Sequence, residues 1–411
     1  MRYRHILAYA GLLMATLLLV SCGGANSGDV FPMAATTVAP TSGPDSFLIF
    51  PNPQKQPDGT LQTNTTAYAT AYYAAIDPGN TRDTLDKWKA ANGFGNSATG
   101  TETTVVFGDV RDLGYGRRMT ARKNNDGTIA VMVENYLVSA AANYTYSSFN
   151  LDAAVVRDQR WHVGTNAIEF SASTCTPSDP TITFATCDLT IKFAKFYTFD
   201  PTTGKRLLVA NLDGRGNKAM PSICITCHGG RGDPLTPLDT KTGGTGLPLF
   251  PWVGNSASHK RGDVQAHMQP LIVDSFGYST TPGYTRTDQE ARLKTINELV
   301  LSSYPIPAAT AFPEDANRRV ANGNEWNGTA AAIIKAAYGG DGLPHATFSD
   351  SYVPANWASM GQTALYKNVV APYCRTCHIQ RGSNAFGMDD LNFDSYCYQT
   401  TPGTCDSAPA N

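Results

Sequence analysis

Cys224-Ile225-Thr226-Cys227-His228 and Cys374-Arg375-Thr376-Cys377-His378 are one pattern, C-x-x-C-H, written twice in a chain of 411 residues. Two cysteines three positions apart can each form a thioether to a vinyl group of the same porphyrin, and the adjacent histidine then places an imidazole nitrogen on the iron. The chain has 9 Cys and 7 His, and chance supplies about 0.003 such matches at that composition. A double occurrence is therefore informative. One structural zinc site built from both C-x-x-C pairs is a competing reading, and reactive thiol chemistry at either pair is another. Zinc ribbons keep their pairs far closer in sequence than these, and zinc leaves the repeated histidine unexplained. The motifs predict two covalently attached haem c groups. Cys224, Cys227, Cys374 and Cys377 are the thioether residues, and His228 and His378 are the proximal iron ligands.

The N-terminus sets the compartment. Arg2 and Arg4 precede a nearly unbroken apolar run, 6–20, and Leu19-Val20-Ser21-Cys22 closes it. This is the three-part build of an export signal, and the run is too short for an ordinary membrane span. The last four residues resemble the lipobox of bacterial lipoproteins. That resemblance implies a signal peptide over 1–21 and a membrane anchor through a lipidated Cys22. Because Gly23 and not aspartate follows, it also implies an outer-membrane lipoprotein facing the periplasm or the exterior. A plain secretory signal cleaved near Ala25 is the alternative. Haem c attachment and disulfides both belong on the exported side of a membrane. Cys175, Cys187, Cys397 and Cys405 remain once lipid and haem are assigned. Nearest-neighbour pairing gives Cys175–Cys187 and Cys397–Cys405, with other pairings open.

The formal net charge is −2, and loss of Arg2 and Arg4 with the leader takes it to −4. Nothing here points to nucleic acid. The length suits two or three domains. Charged residues are only 16%, against 37 Gly, 25 Pro and 19 Tyr, a bias that fits an exported protein rich in strands and loops.

Along the chain, 22–45 is Gly, Ser, Ala, Thr and Pro with little hydrophobic pattern, a disordered tether spanning roughly 25 Å as a flexible coil. Segment 46–215 reads as β. Short runs at 103–107, 128–133, 144–149, 153–156, 168–172, 181–185, 189–199 and 207–210 predict an all-β antiparallel sandwich or barrel. Asn125-Asp126-Gly127 is a hairpin turn between two of them. One helix intervenes near 81–91, where Thr84, Leu85, Trp88 and Ala91 keep helical spacing. Segment 216–284 carries the first haem motif, followed by Gly229-Gly230-Arg231-Gly232-Asp233-Pro234, which cannot be regular helix. Segment 285–411 turns helical. A helix at 288–302 has Thr287 and Glu290 as a capping box and Leu293, Ile296, Leu299 and Val300 as its apolar face. Another at 329–338 is stopped by Gly339-Gly340.

A third helix, Gly361-Gln362-Thr363-Ala364-Leu365-Tyr366-Lys367-Asn368-Val369-Val370, runs almost directly into Cys374. It resembles the first helix of small monohaem cytochrome c domains, in which a Gly and an aromatic residue precede the haem motif. Pro372 and a few extra residues depart from that pattern. The resemblance covers 357–393 and implies a mainly α, cytochrome c-like haem region at 285–411. More broadly, the chain resembles exported bacterial dihaem lipoprotein cytochromes, with a β-rich front half and two haem motifs behind it.

Spacing does not fix the distal iron ligands. For the first haem the candidates are His267, which is favoured, with Met268, His259 and Met220. For the second, Met388 follows His378 by ten residues, His345 and Met360 lie upstream, and a native chain continuing past Asn411 is a further option. Arg231 and Arg381 each follow a motif by three positions and suit haem propionates. His162, beside Trp161, reads as structural.

These features favour an electron carrier that exchanges single electrons with other redox proteins of the cell envelope, and not an enzyme. The alternative is a dihaem peroxidase-type enzyme, which needs one open haem and a nearby acid–base group. A third reading gives the β half a ligand or partner surface, which Tyr68, Tyr72 and Tyr73 could line, although they suit the core equally. Intact-mass measurement of protein made in a host that matures c-type cytochromes should exceed the bare polypeptide by two haem groups. A mass without that surplus removes the haem reading.

Overall fold

The computed structural model describes residues 64–109, 113–137, 148–172, 192–212, 216–228, 266–304 and 329–378. The export segment, the tether, Cys175, Cys187, Cys397, Cys405, Arg231, His259, Arg381 and Met388 lie outside the described residues.

Five strands form one antiparallel sheet: β1 (Gly100–Gly108), β2 (Tyr115–Asn124), β3 (Ile129–Leu137), β4 (His162–Ala172) and β5 (Lys192–Phe199). Their order is β1-β2-β3-β4-β5, so each strand pairs with its neighbours in sequence. The Asn125-Asp126-Gly127 turn joins β2 to β3. Gly127 adopts φ 76°, and its N–H donates to the Asn124 carbonyl at 2.9 Å. β6 (Val209–Ala210) and β7 (Lys218–Ala219) make a separate two-stranded ribbon.

The expected sandwich or barrel is thus one open sheet among the described residues, and helices cover its two faces. Two stretches read as β account for the difference. Helix α1 (Thr66–Ile76) buries Ala69, Tyr72, Tyr73 and Ile76, a spacing of three and four residues that puts them on one side of a helix. Tyr72 and Tyr73 are therefore core residues and not a ligand surface. Helix α3 (Ser148–Val156) takes up the 153–156 run. Helix α2 (Leu85–Ala91) forms where expected. The Thr84 side chain caps it by accepting from Lys87 N–H.

Antiparallel pairing assigns the faces. Opposed residues share a side, so Val106, Arg118 and Glu134 mark one face and Val105, Met119 and Val133 the other. On the first face, α3 packs against β1 to β3, and Arg118 donates to the Val155 carbonyl at 3.2 Å. Trp88 of α2 and Tyr73 of α1 pack there against Tyr197, with ring centroids 6.3 and 5.8 Å away. This face also buries charge. Glu169 accepts from Arg82 Nε at 2.7 Å and lies 3.8 Å from Lys195 Nζ, with Glu169 and Lys195 both about 2% exposed. Burial alone would raise the Glu169 carboxyl, but Lys195 and Arg82 outweigh it and hold the pKa below its ordinary value.

On the second face sit α5 (Arg286–Ser303) and α6 (Thr329–Ala337). Leu293, Ile296, Leu299 and Val300 of α5 are buried as their spacing predicts. The cap differs. Thr285, not Thr287, accepts from Asp288 N–H, while Glu290 turns inward to the Phe348 N–H. The Thr285-x-x-Asp288 pair has the same logic two residues upstream. Helix α5 also closes the edge of the sheet. The Gln289 side chain accepts from Val106 N–H at 2.6 Å and donates to Val106 C=O at 2.8 Å, as a sixth strand would. Arg292 donates to the Thr104 carbonyl at 3.2 Å. An uncovered edge would expose those backbone groups to strand pairing. Among the described residues no helix is long and apolar enough to cross a membrane.

Helix α4 (Ser222–His228) carries the first motif, and its opening turn is closed by Cys224 and Ile225 N–H on the Pro221 carbonyl. The second motif ends a broken helical run: α7 (Ala355–Ser359), α8 (Thr363–Leu365), a π-helical turn (Tyr366–Val370), α9 (Ala371–Tyr373) and α10 (Arg375–His378). Pro372 explains the π turn. It has no N–H, and its ring crowds the carbonyl four residues back, at Asn368, so the helix widens there.

Removing Glu169 strands two cations on a buried sheet face. Glu169→Ala should lower stability by about 3–5 kcal/mol in urea unfolding at neutral pH. In the wild type, the contribution should fade as pH falls through the depressed Glu169 pKa. An unchanged urea midpoint would count against the network.

Candidate functional site

The segment after the first motif is fixed before any ligand is considered. Asn297 of α5 accepts from Leu271 N–H at 2.8 Å and donates to Leu271 C=O at 3.0 Å. The Tyr304 hydroxyl donates to the Met268 carbonyl at 3.0 Å. His267 N–H donates to the His228 carbonyl at 2.9 Å. Residues 267–271 are thereby pinned between α4 and α5, and the reciprocal contact decides the chemistry: His228 Nδ1 lies 2.7 Å from the His267 carbonyl oxygen. A carbonyl can only accept, so Nδ1 carries the proton. Nε2 keeps the lone pair and is the nitrogen left for a metal.

His228, Cys224 and Cys227 line one cavity of about 1450 Å³ of empty space, counted to its open mouth. Its floor is the second face of the sheet, with Met119, Val131 and Ile168, and α5 contributes Ile296 and Val300. Polar groups are few. Arg117 and Asp109 stand in the wall as an ion pair at 2.8 Å, near Asn135 and Asn166. Phe196 of β5 faces the His228 ring at 5.5 Å.

Cys224 is half-buried, with its sulfur 3.9 Å from the Met220 thioether, which also accepts from Thr198 Oγ1 at 3.6 Å. Burial pushes the Cys224 thiol up to about 12. A protonated thiol is a poor partner in disulfide exchange.

The structure brings His267 to the site through its backbone. Its ring is buried, tilted against Phe170 at 5.6 Å and edge-on to Tyr304 at 5.8 Å. Burial, with His228 nearby, pushes its pKa down to about 3, so the imidazole is neutral at physiological pH. Met268 lines the cavity, and so does Met119, which sequence reasoning did not single out. The signal for Met119 was its place in an alternating strand, which says only that it faces one side. Met220 packs beside Cys224. His345 is exposed and lies against Gly339, where a Cβ would meet its ring at 2.7 Å. Met360 is half-exposed in the turn after α7. His162 stacks on Tyr136 at 5.2 Å with Nε2 3.2 Å from Thr165 Oγ1, a structural setting.

The second motif reaches the same place. Helices α4 and α10 touch, and Ala371, Pro372 and Thr376 form part of the cavity wall. Cys374 packs on a small cluster of Trp357, Tyr366 and Val370. Arg375 is buried and paired with Asp350 at 2.5 Å. Asp350 N–H donates to Asp274 Oδ2 at 2.7 Å, and Asp274 pairs with Arg286 of α5. The side chains of Cys377 and His378 lie outside the described set. Among the described residues no group of three or more His, Cys, Asp or Glu gathers as for a bare metal ion. Compared with known proteins, the chain matches no family model, no curated protein and no solved structure.

The raised Cys224 pKa leaves roughly one thiol in ten thousand ionised at pH 8. In haem-free protein, a thiolate-selective alkylating reagent should leave Cys224 unmodified until denaturant is added, as read by peptide mass spectrometry. Rapid labelling of the native protein at Cys224 would contradict the enclosure described.

Proposed function

We propose that this chain is a dihaem c-type cytochrome that carries single electrons in the cell envelope. It would be anchored through lipidated Cys22 and exchange electrons with other redox proteins there. The observation that supports it most directly is the His228 imidazole, held by Nδ1 on the His267 carbonyl beside Cys224 and Cys227 in one largely apolar cavity. Haem-ligating and metal-ligating histidines are oriented by such a second hydrogen bond. Bound haem supplies reversible one-electron redox chemistry at iron.

The chain's own residues do the rest. Cys224 and Cys227 would hold the first porphyrin by thioethers, and His228 Nε2 is the nitrogen that would bind its iron. The His267 carbonyl fixes the ring plane and makes the imidazole more basic, which favours the oxidised iron. In this reading His267 is a positioning residue behind the proximal imidazole and not the distal ligand its spacing suggested. Met119 and Met268 offer thioethers inside the cavity for that position. Phe196, Leu271 and Ile296 would exclude water from a bound porphyrin, and Arg117, paired with Asp109 in the wall, could serve a propionate. Cys374, Cys377 and His378 hold the second haem by motif, with Met388 as its distal candidate, in a C-terminal region that is cytochrome c-like in its helical approach to the motif.

His228→Ala should retain covalent haem by mass yet lose the low-spin spectrum of the first site. The ferrous wild type should show no spectral shift with carbon monoxide, because an electron carrier of this kind would keep both irons six-coordinate. A carbon monoxide-bound band in the wild type would instead favour the dihaem peroxidase-type enzyme.

A further inference from the structure

Gln269 ties the two motifs together. Its side-chain Nε2 donates to the Cys227 carbonyl of the first motif and, at 2.7 Å, to the Thr376 carbonyl of the second. Two carbonyls sharing one nitrogen lie no more than roughly 6 Å apart. Cys227 precedes His228, and Thr376 stands two residues before His378. The Cα atoms of the two histidines therefore lie within about 15 Å of each other. Both ends of the strut are anchored. Met268 is held by Tyr304 and Leu271 by Asn297, on either side of Gln269. Arg375, the neighbour of Thr376, is buried on Asp350. The attachment helices α4 and α10 are in contact, and Ala371, Pro372 and Thr376 help to wall the cavity that Cys224, Cys227 and His228 line.

Resting on the cytochrome reading, we infer that the two haem groups form one electronically and magnetically coupled pair, with Gln269 as the strut that sets their separation. Porphyrins held on the facing sides of two touching helices would lie close to each other. An electron would then pass between the two irons within one protein, one iron being oxidised as the other is reduced. The charges also feel each other. Reduction of one iron makes the next electron harder to add, so the midpoints belong to the pair and not to either site.

Electron paramagnetic resonance of the holoprotein tests this. In the fully oxidised wild type the ferric signals should be broadened by the neighbouring iron. They should sharpen at half-reduction, when the partner is ferrous and low-spin. The oxidised spectrum should also differ from the sum of two single-haem variants, C224S/C227S and C374S/C377S. A ferric line shape constant through the titration, or an additive sum, overturns the pair while two haems by mass leave the cytochrome reading standing. Absence of haem by mass is failure of that reading itself. Gln269→Ala with two haems retained should move the oxidised spectrum toward the sum. An unchanged spectrum in that variant overturns the role of Gln269.

Discussion

The hydrogen bond between His228 Nδ1 and the His267 carbonyl is the constraint around which the rest of the molecule is arranged. A histidine at the end of a seven-residue helix has rotational freedom that a metal ligand, the role proposed for His228, could not keep. The chain removes it by bringing a second segment alongside, thirty-nine residues later in sequence. That segment is itself fixed by α5 through Asn297 and Tyr304, and α5 is fixed by its apolar face on the sheet. Ring orientation therefore traces back to burial of Leu293, Ile296 and Val300. Precision at the site is inherited from the hydrophobic core, the general route by which rigid elements position chemistry.

The polar residues that do this work are amides, and amides give no sequence signal. Gln289, Asn297 and Gln269 read as ordinary helix or loop polars. Gln289 and Asn297 satisfy buried backbone groups of Val106 and Leu271, and Gln269 bridges the Cys227 and Thr376 carbonyls. What sequence shows well is repetition and periodicity, hence the two motifs, the apolar stripe of α5 and the turn at Gly127. What it shows poorly is a polar side chain whose partner is distant in the chain.

The β half shows the same limit from the other side. Strands β1, β3, β4 and β5 were legible at least in part, from the runs at 103–107, 128–133, 168–172 and 189–199, whereas β2, with Arg117, Arg118, Arg122 and Lys123 along it, was not. Helix α1 was not, although Ala69, Tyr72, Tyr73 and Ile76 keep helical spacing, because Thr and Tyr around them favour strands. Helix α3 ends in Val155 and Val156, and β-branched residues at a helix end carry the same false signal. Misreading these two helices turned a helix-covered open sheet into an expected sandwich or barrel. His267 returns to the first motif with its carbonyl on His228 Nδ1 and its ring against Phe170 and Tyr304. Sequence distance says that a residue can return to a motif, but not whether it returns by ring or by carbonyl.

The Gln289 amide on β1 has an effect on assembly. By occupying the donor and acceptor of Val106, it makes the first strand chemically indistinguishable from an interior one at that point. A neighbouring molecule offering an extended peptide there finds its bonds already taken, and with Arg292 on the Thr104 carbonyl and Gly277 paired to Gly108 the strand offers little free edge for growth into filaments.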